Sequence, residues 1–238
     1  MENHPFTLIL DDASTGLGNA ALRLLRMGID VFYAADPDEA VLFCRQSEAG
    51  GVRAVMVPET LDLAILGKVL PRLPANQDRS ITSLVAVGEL ADEERLAELR
   101  KAGIDRILRT PFDDSALRWV ANEARFENEH QPKRQFPRAP TDLLCRASWG
   151  IRRKDLVCST LSKGGAFLET PSPLEIGQKI KLRIPLPNGP VSLKCVVANH
   201  EVGASLRPSG MGVTFLEPAT GEDPLGSFVS ARLAEFLL

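Results

Sequence analysis

The sequence predicts two domains in tandem: a doubly wound α/β domain, followed by a small antiparallel β-barrel with a C-terminal helix. The chain has 238 residues, more than the roughly 100–150 of a common single domain. Up to about residue 126, short apolar runs alternate with amphipathic helical patterns, which is typical of a parallel sheet covered on both faces. Beyond that point, strand patterns separated by Gly and Pro turns indicate an antiparallel barrel.

The first half contains five strand patterns with helical patterns between them. Strands are predicted at residues 6–10, 31–35, 52–57, 84–87 and 106–108. Helices are predicted at 20–25, from Asp36 onwards, at 92–101 and at 114–125. Asp36 can cap its helix, with Pro37 at the first helical position, and Gly103 is a good C-terminal stop. Strand and helix units of this number fit a compact doubly wound domain.

The second half is dominated by alternation. Residues 179–184 read Lys-Ile-Lys-Leu-Arg-Ile, which places the apolar side chains on one face and the basic ones on the other. A turn signal at 187–190 separates this strand from strand patterns at 191–202 and 210–215. Residues 225–238 have helical spacing, and we expect them to cap or flank the barrel.

The composition is that of a soluble globular protein, with 44% hydrophobic and 25% charged residues. The apolar runs are far shorter than the roughly 20 residues that span a bilayer, and the N-terminus is unlike a secretory signal. The cysteines form no CxxC pair, so we expect small buried side chains rather than disulfides or metal ligands. The four are Cys44, Cys145, Cys158 and Cys195. We predict a cytoplasmic protein with no cofactor, no metal and no membrane insertion.

The charge is distributed unevenly between the two halves. Residues 1–125 hold 14 Lys and Arg against 20 Asp and Glu, whereas residues 126–238 hold 14 against 11. The modestly basic second half is compatible with an anionic ligand. DNA binding requires a more concentrated basic stripe, so we expect no DNA partner.

Residues that follow the predicted strands of the first half resemble those of a receiver domain of response regulators. Asp11 and Asp12 follow the first strand, and Pro111-Phe112-Asp113 follows the fifth. The resemblance implies a phosphorylation site, but its three reactive positions are occupied here by Pro58, Gly88 and Thr110. Phosphoryl transfer would lack its attacking group and its charge stabiliser. We therefore predict a receiver-like (βα)5 domain that has lost phosphorylation, and no catalytic residue.

An enzyme interpretation of the same segment remains as a third alternative. Residues 16–21 read Gly-Leu-Gly-Asn-Ala-Ala, a GxGxxA string with Asp36 about 20 residues beyond it, as in dinucleotide-dependent oxidoreductases. Acidic residues stand between the strand and the first glycine, so glycines that ease a loop into a helix are the favoured explanation. The histidines at positions 4, 130 and 200 lie in no nucleophile or metal motif, and we predict that the protein is not an enzyme.

The second half carries the more specific motifs. Arg134 and Arg138 form Arg-x-x-x-Arg, residues 160–167 read Thr-Leu-Ser-Lys-Gly-Gly-Ala-Phe, and residues 210–215 read Gly-Met-Gly-Val-Thr-Phe. Together they resemble the PilZ domain over about residues 133–238. The resemblance implies a six-stranded antiparallel β-barrel that binds the bacterial second messenger cyclic di-GMP. The ligand contacts it implies are Lys133, Arg134, Arg138, Thr160, Ser162 and Gly165.

The side-chain chemistry suits a ligand with two phosphates and two guanines. Arginine forks match phosphate oxygens and the guanine edge, and they stack on bases. Ser162 offers a hydroxyl to phosphate, and Gly165 allows a close backbone approach. The family has Asp or Asn where this chain has Thr160, whose one hydroxyl cannot reproduce a bidentate guanine contact. We expect this departure to weaken binding by about 1–3 kcal/mol.

The predicted organisation is a receiver-like domain at 1–127, a linker at 128–137 and a PilZ barrel at 138–238. The predicted function is a cyclic di-GMP-responsive signalling adaptor that acts on a protein partner without catalysis, with motility among the outputs of such proteins. The alternative, favoured by Thr160, is a PilZ-type interaction scaffold that has lost its nucleotide. The receiver-like domain is expected to mediate protein contact, most simply homodimerisation.

Overall fold

The computed structural model describes residues 6–11, 17–46, 52–72, 83–89, 92–122, 136–201, 209–216 and 223–238. The chain divides into two compact units. The first unit comprises Met1–Lys133 together with Phe236–Leu238, and the second comprises Arg134–Glu235. Most of the predicted linker, 128–137, lies outside the described residues. The grouping of the C-terminal tripeptide with the first unit has no counterpart in the sequence patterns.

The first unit is a five-stranded parallel sheet with the strand order β2-β1-β3-β4-β5. Its strands are β1 (Phe6–Leu10), β2 (Val31–Ala34), β3 (Val52–Pro58), β4 (Ser83–Gly88) and β5 (Arg106–Arg109). Its helices are α1 (Gly18–Arg26), α2 (Pro37–Gln46), α3 (Leu63–Val69), α4 (Glu93–Lys101) and α5 (Asp114–Asn122), and a 3-10 turn (Leu70–Arg72) follows α3. All seven residues of β3 are buried, as expected of a strand covered on both faces. The predicted doubly wound, receiver-like architecture is confirmed.

Local signals place most helix ends where they were predicted. The backbone N–H of Asp38 donates to the Asp36 carboxylate at 2.8 Å, and Asp92 caps α4 in the same way. Gly103 follows α4 with a φ of +87°, a conformation that favours glycine. Helix α3 was missed because its seven residues are too few to establish a helical period.

The C-terminal tripeptide covers the outer edge of β5. Leu237 forms an antiparallel bridge with Arg106, and the backbone N–H of Ile107 donates to the carbonyl of Phe236 at 3.0 Å. The Phe236 ring is buried, and its centroid lies 5.0 Å from that of Trp119 on α5. A parallel sheet otherwise presents unpaired backbone groups at its last strand, so these contacts protect that edge.

The second unit is a closed antiparallel barrel with the strand order β10-β11-β8-β7-β6-β9. Its strands are β6 (Ala139–Trp149), β7 (Arg152–Leu161), β8 (Gly165–Glu169), β9 (Lys179–Leu186), β10 (Gly189–Glu201) and β11 (Gly210–Phe215). Strand β9 alternates strictly between exposed and buried residues, as its sequence predicts. The six-stranded barrel is therefore confirmed.

A C-terminal helix, α6 (Pro224–Ala234), completes the second unit. Asp223 caps its N-terminus by accepting a hydrogen bond from Gly226 N–H, and Leu225 and Val229 pack into the barrel core. The helical pattern was predicted to run to Leu238, but the helix ends at Ala234 because the last three residues pair with β5 instead.

Two further sequence expectations concern cysteines and membranes. Cys145, Cys158 and Cys195 are free and buried in the barrel core. No helix among the described residues is long and apolar enough to cross a membrane.

Candidate ligand site at one end of the barrel

The turn between β7 and β8 is held by Ser162. The Ser162 N–H donates to the carbonyl of Gly165 at 2.8 Å, and the Gly165 N–H donates to Ser162 Oγ at 3.1 Å. The Ser162 hydroxyl in turn donates to the carbonyl of Gly165. Only 5% of Ser162 is exposed. Its hydroxyl therefore shapes the turn, and the predicted contact with a phosphate stays a prediction.

Gly165 lies where two barrel strands approach each other closely. A Cβ atom at this position would lie 2.4 Å from the carbonyl oxygen of Val213 on β11. The sequence predicts a close approach of this glycine to a ligand. The structure adds a steric reason that needs no ligand, because any side chain would collide with a neighbouring backbone.

The Arg-x-x-x-Arg segment reaches this turn. Phe136, between the two arginines, lies against Gly164, where a Cβ would be 2.7 Å from the Phe136 ring. Arg138 is exposed and directly precedes Ala139, which pairs with Leu161. The structure thus brings Arg138 to the end of the barrel that carries Thr160, Ser162 and Gly165. Lys133 and Arg134 lie outside the described residues, and Phe136 is a site residue that the sequence reasoning missed.

Thr160 occupies a half-buried position at a bulge of β7. Its cross-strand neighbours are Pro140 on β6 and Phe167 on β8. Its carbonyl accepts a hydrogen bond from the thiol of Cys158, with the sulfur 3.3 Å from the oxygen. The position that carries Asp or Asn in the family therefore has apolar cross-strand neighbours here.

Lys163 joins the turn to helix α6. Its Nζ lies 3.2 Å from Asp223 Oδ2, and its Cε lies along Gly226 in the first turn of the helix. The hydrogen bond from the Gly226 N–H, reinforced by Lys163, holds the pKa of Asp223 below its ordinary value although desolvation opposes this. Lys163 and Asp223 are about 60 positions apart in the sequence, so no local motif could reveal the pair.

Comparison with known families identifies the part of the chain that carries this turn. Residues 132–230 match the family model of the PilZ domain. Residues 132–230 are therefore identified as a PilZ domain. The match includes the Arg-x-x-x-Arg segment, the Ser162 turn and most of α6.

Solved structures similar to the PilZ part include the motility inhibitor MotI/DgrA of Bacillus subtilis, at 17% identity and a TM-score of 0.38. That alignment covers 44% of this chain and 51%, about half, of the Bacillus protein. The PilZ domain of YcgR from Escherichia coli, solved with c-di-GMP, is 15% identical with a TM-score of 0.36 and covers 44% of this chain and 94% of that one.

The first unit is similar to the chemotaxis protein CheY4 of Vibrio cholerae, at 16% identity and a TM-score of 0.41, over 51% of this chain and 98% of that one. No curated protein matches the chain.

Outside the PilZ domain, the structure brings the three altered receiver positions together. Pro58, Gly88 and Thr110 lie at the carboxyl ends of β3, β4 and β5, where Thr110 N–H donates to the Gly88 carbonyl at 2.8 Å. The Glu59 side chain lies over Gly88, so that a Cβ on that glycine would be 2.5 Å from Glu59 Cδ. Burial raises the pKa of Glu59. The space above the end of β4 is thus filled by the side chain of Glu59.

Neighbouring contacts fix this arrangement. Arg95 on α4 donates from Nη2 to the carbonyls of Glu59 and Leu61 at 2.6 and 2.7 Å. Asp11 is buried and accepts a hydrogen bond from the Tyr33 hydroxyl at 2.7 Å. No group of three potential metal-ligating side chains occurs within the part of the chain that the structure describes. Asp12 and Gly16 lie outside it.

Proposed function

We propose that this chain is a cyclic di-GMP-responsive signalling adaptor that passes the state of the second messenger to a protein partner without catalysis. The contact between Phe136 and Gly164 is the observation that carries the proposal. It joins the arginine segment to the Ser162 turn at one end of the PilZ barrel. The family match over residues 132–230 supports the same ligand.

The geometry assigns different tasks to the two motifs. Arg138 is exposed at the edge of the barrel, and Lys133 and Arg134 precede it in the same segment. Arginine forks can bind phosphate oxygens and guanine edges from such a position. Ser162 and Gly165 are engaged with each other. In this proposal they hold the surface on which the ligand rests, and the arginines close over it.

The test is calorimetry of the full chain with cyclic di-GMP. Arg138→Ala should lower the affinity at least about tenfold, because it deletes a charge-assisted fork that a lysine cannot replace. Arg152→Ala is the matched control: it removes another exposed arginine at the opposite end of the β6–β7 pair, and its affinity should equal that of the wild type. Equal losses in both variants would show that only net charge matters and would contradict the proposed site.

Variants of Thr160 distinguish guanine pairing from phosphate repulsion at the same site. If a guanine edge is the missing contact, Thr160→Asp and Thr160→Asn should both tighten binding. If repulsion from the phosphates dominates, Thr160→Asp should weaken binding, more so at low salt where screening is poor. Absence of heat from the wild type and from both Thr160 variants would refute the nucleotide-sensor function.

The second candidate is a PilZ-type scaffold that binds a protein partner but no nucleotide. The apolar neighbours of Thr160 and the internal hydrogen bonds of the Ser162 hydroxyl favour it. Both observations are compatible with a barrel end that serves only folding. The calorimetric experiment separates the two candidates, because a scaffold gives no heat with any of the variants.

For the first unit we propose protein contact in place of phosphorylation, with homodimerisation as the simplest form. The filling of the space above Gly88 by Glu59 supports a non-catalytic role. Multi-angle light scattering of the full chain tests the dimer. A monomer at high concentration would leave a heterologous partner in the cytoplasm as the remaining form of the proposal.

A further inference from the structure

The hairpin between β6 and β7, at the end of the barrel away from the candidate ligand site, exposes an isoleucine. Its two-residue turn consists of Gly150 and Ile151, with Gly150 at a φ of +56°, the positive value that both common two-residue hairpin turns require of their first central residue. Ile151 is 100% exposed. Polar residues usually follow the glycine in such turns. The isoleucine therefore adds nothing to the packing of the barrel.

A second exposed isoleucine lies at the same end. Ile176 is 63% exposed and belongs to the loop that leads into β9. The next residue, Gly177, is held to this end of the barrel by a 2.8 Å hydrogen bond from its N–H to the carbonyl of Val197 on β10. Because β9 starts where the β6–β7 hairpin turns, both isoleucines occupy the same rim of the barrel.

Cations surround this rim. Arg152, Arg153 and Lys154 follow Ile151 directly and are exposed. The strand register extends this positive surface across neighbouring strands. Arg153 on β7 pairs with Ser148 on β6, Ser148 pairs with Lys181 on β9, and Lys181 pairs with Lys194 on β10. Residues in one such row point to the same side of the sheet. The row is therefore an outward-facing line of three cations on four adjacent strands.

The acidic residues that the structure describes at this rim are fewer than the cations. Asp155 is already ion-paired with Arg146, with the Arg146 Nε 2.8 Å from the Asp155 carboxylate. Glu169, Glu175 and Glu201 are the other acidic residues that the structure describes at this rim. Against them stand Arg152, Arg153, Lys154, Lys179, Lys181 and Lys194. We call these six cations together with Ile151 and Ile176 the basic rim.

We propose that the basic rim docks on the surface of a bilayer that contains anionic lipid. Clusters of four to eight basic residues are the pattern that binds such surfaces, roughly in proportion to the number of cations. Ile151 stands between Gly150 and Arg152, so the hairpin tip offers a single apolar side chain rather than a broad hydrophobic patch for a protein pocket. Such a side chain can enter the headgroup region, which is fluid and needs no shaped partner. The docking is peripheral and uses a surface separate from the candidate ligand site.

The experiment is co-sedimentation of the full chain with vesicles. Vesicles of phosphatidylglycerol mixed into phosphatidylcholine should bind the chain at low salt and release most of it at high salt, because screening weakens the attraction. Pure phosphatidylcholine vesicles should bind at least about tenfold less, since they lack the negative surface potential. Equal binding to both kinds of vesicle, or binding to neither, would overturn the proposal.

Two variants and two matched controls locate the surface. Ile151→Ser and the double variant Arg152→Ser with Arg153→Ser should each lower vesicle binding at least about fivefold. Leu42→Ser and Lys101→Ser change an exposed leucine and an exposed lysine of the first unit and should leave it unchanged. Circular dichroism melting of every variant checks the fold. Equal losses in the controls would refute the assignment to the basic rim.

Competition with an acidic polymer distinguishes membrane binding from binding to an acidic protein partner. Polyglutamate should compete with the vesicles only weakly, because it offers charge without an apolar phase. If the wild type and the Ile151→Ser variant bind polyglutamate equally well, and neither binds the anionic vesicles, the basic rim serves an acidic protein and the membrane proposal is wrong.

Discussion

Replacing Gly165 by alanine tests whether this motif glycine is required by the barrel itself. The added Cβ would lie 2.4 Å from the carbonyl oxygen of Val213, 3.4 Å from its carbonyl carbon and 3.6 Å from the Cα of Thr214. These atoms belong to the backbone of β11, so no side-chain rotation can relieve the collision. Strands β8 and β11 must move apart instead.

The size of that movement sets the expected cost. An ordinary contact begins at 3.4 Å, so relief requires a shift of about 1 Å. The adjacent hydrogen bond from Phe215 N–H to the Gly164 carbonyl, now 3.0 Å, would then exceed hydrogen-bonding distance. Overpacking costs about 1–3 kcal/mol and the lost hydrogen bond about 0.5–1.5 kcal/mol. We expect Gly165→Ala to lower the free energy of unfolding of the barrel by about 2–4 kcal/mol.

Urea unfolding measures this difference. The chain has two tryptophans, of which Trp149 is in the barrel and Trp119 in the first unit, so a Trp119→Phe background reports the barrel alone. Gly67→Ala is the control, since no described atom other than its chain neighbours and its own helix backbone lies within 4 Å of the added Cβ, and it should leave the barrel transition unchanged. A loss below about 0.5 kcal/mol in Gly165→Ala would contradict the steric argument. Loss of cyclic di-GMP binding with full stability would assign the glycine to the ligand instead.

Four further predictions concern other parts of the chain. Gly67→Ala should stabilise the first unit by up to about 1 kcal/mol through helix propensity, measured by urea unfolding followed at Trp119. Acetyl phosphate and magnesium should add no phosphoryl group to the chain, and an acid-labile mass gain would contradict this. Phe236→Ala should destabilise the first unit by about 2–4 kcal/mol, whereas Leu237→Ala, at a side chain that is half exposed, should cost far less. The carboxylate of Asp223 has a lowered pKa in the fold, so it stabilises the folded state above pH 3.8, the ordinary pKa of the group. This contribution is lost as the pH falls through the pKa of Asp223 in the folded state. The difference in unfolding free energy between the wild type and Asp223→Asn should therefore vanish in acid, as pH-dependent urea unfolding measures.

Patterns that repeat along the chain predicted most of the fold. The alternation in β9 and the caps at Asp36 and Asp92 are local patterns, and each is enough to predict the strand or helix in which it occurs. Helix α3 and the pairing of the tripeptide 236–238 with β5 were not predicted. The first has too few residues for a period, and the second depends on a tertiary contact with Trp119 that no local preference encodes.

The same distinction holds at the candidate site. Sequence motifs selected Arg138, Ser162 and Gly165, and the structure places all three at one end of the barrel. Phe136 and the ion pair between Lys163 and Asp223 were missed. Their partners come from other segments of the chain, so only the folded arrangement connects them to the turn.

Two residues of the PilZ motif have structural roles that do not depend on a ligand. Ser162 and Gly165 are constrained by the turn and by the approach of β11, and a barrel of this shape would need them with or without a nucleotide. Their presence is therefore stronger evidence for the barrel fold than for nucleotide binding. Arg138 is exposed beside the turn, and position 160 departs from the family residue, so these two positions bear more directly on the ligand. Calorimetry on variants of these two positions therefore discriminates between sensor and scaffold. Loss of binding in a Ser162 or Gly165 variant identifies a ligand contact only where that variant keeps its stability.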